Sequence, residues 1–431
     1  MKLFNRRGVS IAFSLILVCV GGVVSTAVAD GIIRDGVGAI STSRGGTNLG
    51  FADNGSIILD NPGAMVNLAG DGLFELGADM LITDLSYSDP DNTPVSSSNN
   101  PFPMGQVSLI RRLANENIAV GLGAFSQAGF STHYIMNGQA PFPGERSYKS
   151  VGAMMRILPS VSLALTERLS VGATLGVAVS HTELEGPYVT QAPTPLAGTP
   201  TLLDLQATGA GLSWSVGLQY LLTPQTTVGF LYQGATHIDA QGSARLTHPA
   251  LGSSAYELEL NTEWPSTLGL GLAHEVNPCT TVAVDVLWTA WSGAKDGYGM
   301  TLSDPTNPLF RAVLGPQVPE RFPLSWKDSV AVRTGVQRRL GNGKVVRAGY
   351  VYHPNPIPDE TLTPFIQATV EHSVSVGYGW QWAGYSIDLG YQHMFGPSRT
   401  VAQSSFLGGD FDGSRSSAAA HWLLTSISRR F

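Results

Sequence analysis

The chain has 431 residues, 13% of them charged, with 50 glycines, two cysteines and a formal net charge of −7. This acidic balance excludes the basic patch that a nucleic-acid partner needs. Two cysteines, Cys19 and Cys279, are too few for a disulfide-stapled secreted domain.

At the amino end, Lys2, Arg6 and Arg7 precede a mostly apolar, uncharged run from Ile11 to Val24, and Ala27-Val28-Ala29 follows as an A-x-A site. This order predicts a signal peptide over residues 1–29, cut before Asp30. The apolar run is shorter than the about 20 residues a spanning helix needs. Removal takes away three positive charges and no acid, so the net charge moves to −10, and Cys279 is left alone. No later segment reaches 18 unbroken apolar residues, so no spanning helix is predicted. The remaining way across a bilayer is a closed barrel, whose backbone groups pair between strands.

Residues 30–71 are rich in Gly, Asn and Asp and carry little alternation. They contain Ile57, Ile58, Leu59 and Met65, which a free periplasmic tail would hydrate poorly, so the stretch is predicted to plug the lumen. From Leu73 onward, alternation with period two recurs. Val171, Ala173, Leu175, Val177 and Val179 oppose Ser170, Gly172, Thr174, Gly176 and Ser180; Val374, Val376, Tyr378, Trp380 and Trp382 oppose Ser373, Ser375, Gly377, Gly379 and Gln381. Such strands suit a wall with an oily face to lipid and a small or polar face to a lumen. Short turns are expected near 114–117, 166–168, 223–226, 277–280, 341–343 and 383–384. Long connections are expected near 84–105, 131–148, 184–204, 245–256, 292–322, 353–366 and 396–414. The two kinds alternate, which gives fourteen antiparallel strands over residues 72–431, with both termini in the periplasm. The final strand places Leu423, Thr425, Ile427 and Phe431 on one face. A closing aromatic such as Phe431 is the usual assembly signal of bacterial outer-membrane barrels.

With these elements in order, the chain resembles the FadL/TodX family of outer-membrane transporters for long-chain fatty acids and hydrocarbons. Ser43-Arg44-Gly45-Gly46, Ala52-Asp53 and Asn61-Pro62-Gly63 resemble the family's amino-terminal hatch, with Gly63 where Ala is usual. Leu158-Pro159-Ser160-Val161, Trp264-Pro265, Val286 to Ser292, Phe322-Pro323 with Trp326-Lys327-Asp328, and Pro356-Ile357-Pro358-Asp359 are similar to its later strands and loops. The resemblance implies an all-β, 14-stranded transmembrane β-barrel with the hatch in its lumen, in the bacterial outer membrane. It implies passive capture of a hydrophobic ligand, a shifting hatch and a lateral exit where the third strand kinks, at Ser126-Gln127-Ala128-Gly129-Phe130. Asn61, Pro62 and Gly63 would then lie beside that kink.

For a carboxylate headgroup the candidates are Lys327 and Arg333. Glu183 and Glu185, where a base is found in fatty-acid members, point instead to an uncharged ligand such as an aromatic or alkane hydrocarbon. No cofactor, metal or catalytic group is expected: G-x-x-x-x-G-K-[ST], G-x-S-x-G and H-E-x-x-H are all missing from the sequence. Expected partners are the hydrophobic ligand, outer-membrane lipid and lipopolysaccharide, and the barrel-assembly machinery. The competing reading is a general diffusion porin.

Overall fold

The computed structural model describes residues 32–98, 101–114, 116–138, 140–409 and 411–431; the expected signal peptide lies outside them. The strands are β1 Gly72–Asp89, β2 Asn92–Ser96, β3 Phe102–Arg112, β4 Ile118–Gly138, β5 Gly144–Ala164, β6 Leu169–Val189, β7 Pro200–Thr223, β8 Thr226–Gln233, β9 Thr236–His248, β10 Gly252–Trp264, β11 Thr267–Asn277, β12 Thr280–Thr289, β13 Gly297–Ser303, β14 Gln317–Pro323, β15 Ser329–Arg339, β16 Val345–Tyr352, β17 His372–Trp382, β18 Tyr385–Phe395, β19 Arg399–Thr400 and β20 Arg415–Arg430. They close into a fourteen-stranded antiparallel barrel, sealed where β1 pairs with β20 from Leu73↔Arg430 to Ser88↔Arg415. β8 with β9, and β10 with β11, each form one stave broken in the middle. The breaks fall at Gly234-Ala235 and Pro265-Ser266, and Pro265 has no N–H to give a ladder. Phe431 closes the seam through its carbonyl, which accepts from Asp71 N (2.8 Å) and Gly72 N (2.9 Å).

One strand shows how the wall is solvated. Along β7 the outward positions run Asp204, Gln206, Thr208, Ala210, Leu212, Trp214, Val216, Leu218 and Tyr220, while the inward ones run Leu203, Leu205, Ala207, Gly209, Gly211, Ser213, Ser215, Gly217 and Gln219. The sign of the alternation inverts at Gly209–Gly211. Towards the short-turn end the oily side faces out, with Leu212 63% exposed; towards the long-loop end it faces in, with Leu203 3% exposed. In lipid the outer face must be apolar; in water a polar outer face and a greasy interior are favoured, at about 1.5–3 kcal/mol per buried large side chain. Leu203, Leu205, Ile238, Leu246, Tyr256, Leu258 and Leu260 accordingly share one core inside the long-loop half.

The expectation of an oily exterior along every strand is therefore corrected: it describes only the lower half. Several expected long connections are also mostly strand. β4 runs to Gly138 and β6 to Val189, and β9 meets β10 across His248↔Gly252. Their polar outer faces made them look like loops.

Residues 32–71 fill the lower lumen and are almost wholly buried. They include short helices at Gly38–Ser43 and Ile57–Asp60 and a 3-10 turn at Pro62–Asn67. The barrel's polar inner face satisfies hatch backbone, as buried peptide groups require. Asp285 accepts from Asn48 N (2.8 Å) and Leu49 N (3.1 Å), Glu75 accepts from Gly55 N (2.9 Å), and Ser375 accepts from Gly45 N (3.1 Å). Where the backbones touch, only glycine fits: a Cβ on Gly172 would stand 2.4 Å from the Pro62 carbonyl.

Candidate functional site

The wall is incomplete between β3 and β4. β3 and β4 pair from Arg112↔Ala119 to Gln106↔Phe125, and beyond that rung their ladder stops among the described residues. Beyond it Gly105 N reaches Ser126 Oγ at 3.4 Å. Nearer the long-loop end the residues after β2 close on β4, where Ser98 N donates to the His133 carbonyl (2.8 Å) and His133 N to Ser97 Oγ (3.0 Å). The result is a lateral window, with Phe102 to Gly105 on one side and Gln127 to Thr132 on the other. β4 carries a bulge there: Ser126 pairs with Met155 and Ala128 with Met154, so Gln127 is extra. Bulges re-aim a strand, and this one turns two carbonyls to the lumen. The hatch takes them up: Arg34 N donates to the Gln127 carbonyl (3.1 Å), Arg34 Nη1 to the Ser126 carbonyl (3.2 Å), and Ile33 forms a β-bridge with Ala128.

Behind the window lies an apolar cavity of about 90 Å³. Ile32 and Ile33 of the hatch line it with Gly129, Phe130, Leu81, Leu85, Met394 and Trp422. Arg34 forms its base, paired with Asp79 and stacked 4.3 Å over the Trp422 ring. The cavity is thus bounded by the hatch's first described residues, the bulged strand, the sealing strands with β18, and the loop residues Ile366 to Val370.

The candidate residues fall into three groups. Ser126, Ala128, Gly129 and Phe130 are together at the window. Asn61, Pro62 and Gly63 are elsewhere, against β5, β6 and β7: Asn61 Nδ2 donates to the Leu218 carbonyl (2.9 Å), and Ser162 and Ser170 donate to the Gly63 carbonyl. That is the level of Ala119 on β4, seven residues before the bulge, so the expected proximity of Asn61 to the kink is corrected; Ile33 and Arg34 occupy that place.

Of the two headgroup candidates, Lys327 is exposed and binds the Pro356 carbonyl through its backbone N–H (2.9 Å). Arg333 is buried beneath the hatch with Nη1 3.4 Å from the Gly46 carbonyl. Glu183 and Glu185 project outward from β6, and Glu183 pairs there with Lys149 at 2.8 Å. They do not face the lumen, so the case they made against an acidic ligand is withdrawn.

Arg156 was missed. It faces inward from β5, across from Phe125 and just below the bulge. It is 2% exposed, its Nε has no acceptor, and among the described residues neither an ion pair nor a hydrogen bond holds it. Parity alone finds it: Ser160 and Ser162 face inward, and so does position 156.

A second, polar cavity of about 30 Å³ lies between the hatch and the wall, lined by Asp60, Arg333, Gln127 and Gln233. It has room for a water. Burial pushes the Asp60 carboxyl up to about 6, against the pull of hydrogen bonds from Asn48 and Ser56 and the charge of Arg333. A carboxyl raised in the folded state stabilises fully below its ordinary value near 4, and that stability is lost as pH rises through about 6. Asp60→Asn is therefore expected to raise the thermal midpoint at pH 8, by an amount equivalent to about 1–2 kcal/mol once cavity water is allowed for. At pH 4 no difference is expected; thermal melts at the two pH values check this.

Residues 25–431 match the family described as outer membrane protein transport protein (OMPP1/FadL/TodX). The chain belongs to this family. It is an outer-membrane β-barrel. FadL/TodX-type solved structures share its fold. The Pseudomonas putida toluene transporter TodX is 20% identical over 94% of this chain and 100% of that one, with TM-score 0.74. The Ralstonia pickettii toluene transporter TbuX is 20% identical over 92% and 99%, with TM-score 0.73. A Pseudomonas aeruginosa FadL homologue is 16% identical over 93% and 100%, with TM-score 0.73. No curated protein matches the chain.

Proposed function

We propose that this FadL/TodX-type barrel carries long-chain fatty acids passively across the outer membrane and releases them sideways through the β3–β4 window. The observation that carries this reading is the broken ladder, backed by an apolar cavity and touched by the hatch. Burial contributes about 0.8 kcal/mol per CH₂, so a greasy path captures a long acyl chain without an energy source. Arg156, held by neither an acceptor nor an ion pair among the described residues, supplies the carboxylate partner. A buried lone charge is costly until an anion reaches it.

In this reading residues 1–29 are removed on export, residues 30–71 act as the hatch and residues 72–431 as the fixed barrel. Ile33 and Arg34 shift off the bulge to join the cavity to the window. Ser126, Ala128, Gly129 and Phe130 form the exit; Asn61, Pro62 and Gly63 anchor the hatch; Arg333 braces it. Phe431 is presented to the barrel-assembly machinery. The filled lumen argues against a general diffusion porin.

The cavity size favours a second reading. About 90 Å³ is below the roughly 150 Å³ that holds benzene in an engineered core, closer to a small aromatic hydrocarbon than to an acyl chain. The toluene transporters among the structural neighbours fit this alternative. Uptake of labelled oleate and of toluene, in cells lacking other such transporters, separates the two. Faster oleate uptake with the protein present supports the first reading, toluene alone the second, and neither defeats both.

A further inference from the structure

The outward face at the long-loop edge of the apolar belt carries a row of three imidazoles on β17, β18 and β20, two of them stacked and the third set off by a phenylalanine. His393 pairs across to His421 with ring centres 4.7 Å apart. Phe395 joins His393 to His372, at 5.4 Å from each ring. Tyrosines bracket the row: Tyr350 OH lies 2.8 Å from His372 Nδ1, and Tyr391 OH lies 2.8 Å from His421 Nδ1. On the lipid side of the row stand Val376, Leu389 and Leu423, all exposed; on the other side stand Ser417 and Arg415. The row therefore lies at the membrane interface, where side chains with an apolar body and a polar tip collect.

Each tyrosine–histidine pair has donors to spare. If the tyrosine donates to Nδ1, the histidine carries its proton on Nε2; if Nδ1 donates, the tyrosine O–H is left over. Either way one donor per pair finds no acceptor within the pair. His393 Nδ1 is buried with no partner. A donor at a lipid boundary is costly unless something accepts from it. An imidazolium carries two N–H donors and a positive charge, and where two such rings touch, as those of His393 and His421 do, a counter-anion is favoured. The protein provides little. Asp84 of β1, opposite Ala419, shares this outward face. Glu371, next to His372, lies 3.5 Å from Arg399. Tyr350 and Tyr352 of β16 and Tyr391 of β18 complete the surround, and they are neutral.

We propose that this row binds the phosphate of an outer-leaflet lipid headgroup and fixes such a lipid against β17, β18 and β20. The occupant is a lipid because the row is continuous with the hydrocarbon-facing wall. The site is independent of which molecule crosses the barrel.

The test uses the full barrel in mild detergent, with diphosphorylated lipid A or its dephosphorylated form added at equal concentration and retention read by native mass spectrometry. The phosphorylated form is expected to be retained roughly five- to ten-fold better. His372→Phe/His393→Phe/His421→Phe keeps the stack and should abolish the preference. Should that variant fail to fold, His421→Gln, which breaks the ring stack and cannot take a charge, is expected to weaken the preference. Equal retention of the two lipids by the native protein, or an unchanged preference in the variant that folds, overturns the proposal. So does displacement of the lipid by millimolar inorganic phosphate, which would mark a simple anion site.

Discussion

Replacing Arg156 with methionine is expected to weaken oleate uptake about 10- to 100-fold in apparent affinity, the range for losing a hydrogen bond to a charged group. Toluene uptake should change little. The methionine keeps length and apolar bulk, so packing against Phe125 survives. The same change should raise the thermal midpoint of the ligand-free barrel, because it removes a buried charge that nothing in the described protein compensates. Opposite effects on stability and on oleate affinity distinguish a ligand partner from a structural arginine. A structural arginine would lose stability on substitution and affect both ligands alike. Dose–response uptake of the two ligands, with melts in detergent, reads the outcome.

The second large effect is expected at Gly129. A Cβ built there lies 3.0 Å from Met104 Cε and 3.1 Å from Phe102 Cε1, the side chains on the far edge of the window. Isoleucine would fill the gap with a stiff, branched side chain. Uptake of either ligand should fall about ten-fold, the effect of the roughly 1–3 kcal/mol that overpacking a filled space costs. Assembly should be unaffected: the rung Gly129↔Ala153 to β5 is on the other edge, and strands favour β-branched residues. Gly129→Ala should cost much less, because Met104 can swing aside. Uptake with heat-modifiable migration as the folding control checks this, and normal uptake in a well-assembled Gly129→Ile barrel would remove the window from the route.

Much of the barrel was legible because lipid enforces a strict period of two. Leu175, Val177 and Val179 against Gly176, Ala178 and Ser180 allow one reading only, and tight turns such as Ala383-Gly384 punctuate it. The part that escaped lies above the membrane. Once the surroundings change from lipid to water at Gly209–Gly211, the same strand reverses its faces, and its Thr, Gln and Asp positions imitate a loop. Glu183 and Glu185 show a different lapse. They share parity with Val177 and Val179, so the sequence already placed them outside.

Ile33 and Arg34 at the bulge were not legible, because a bridge across 95 residues leaves no local pattern. The window itself came from the family resemblance and Gly129. Arg156 was readable by parity, as a lone charge on an inward face, but it is an ordinary residue until the structure shows that nothing answers it.

In the proposed route molecules leave through the wall and not through its short-turn end. Cysteines at Met104 and Gly129 (Met104→Cys with Gly129→Cys, in a Cys279→Ser background) allow a short bis-thiosulfonate, which joins each thiol through a disulfide and expels sulfinate, to bolt the window shut. Oleate uptake measured before cross-linking, after it, and after reduction is the most direct test. Uptake is expected to collapse when the two edges are joined and to return when the link is cut. Undiminished uptake through the bolted barrel would contradict that route.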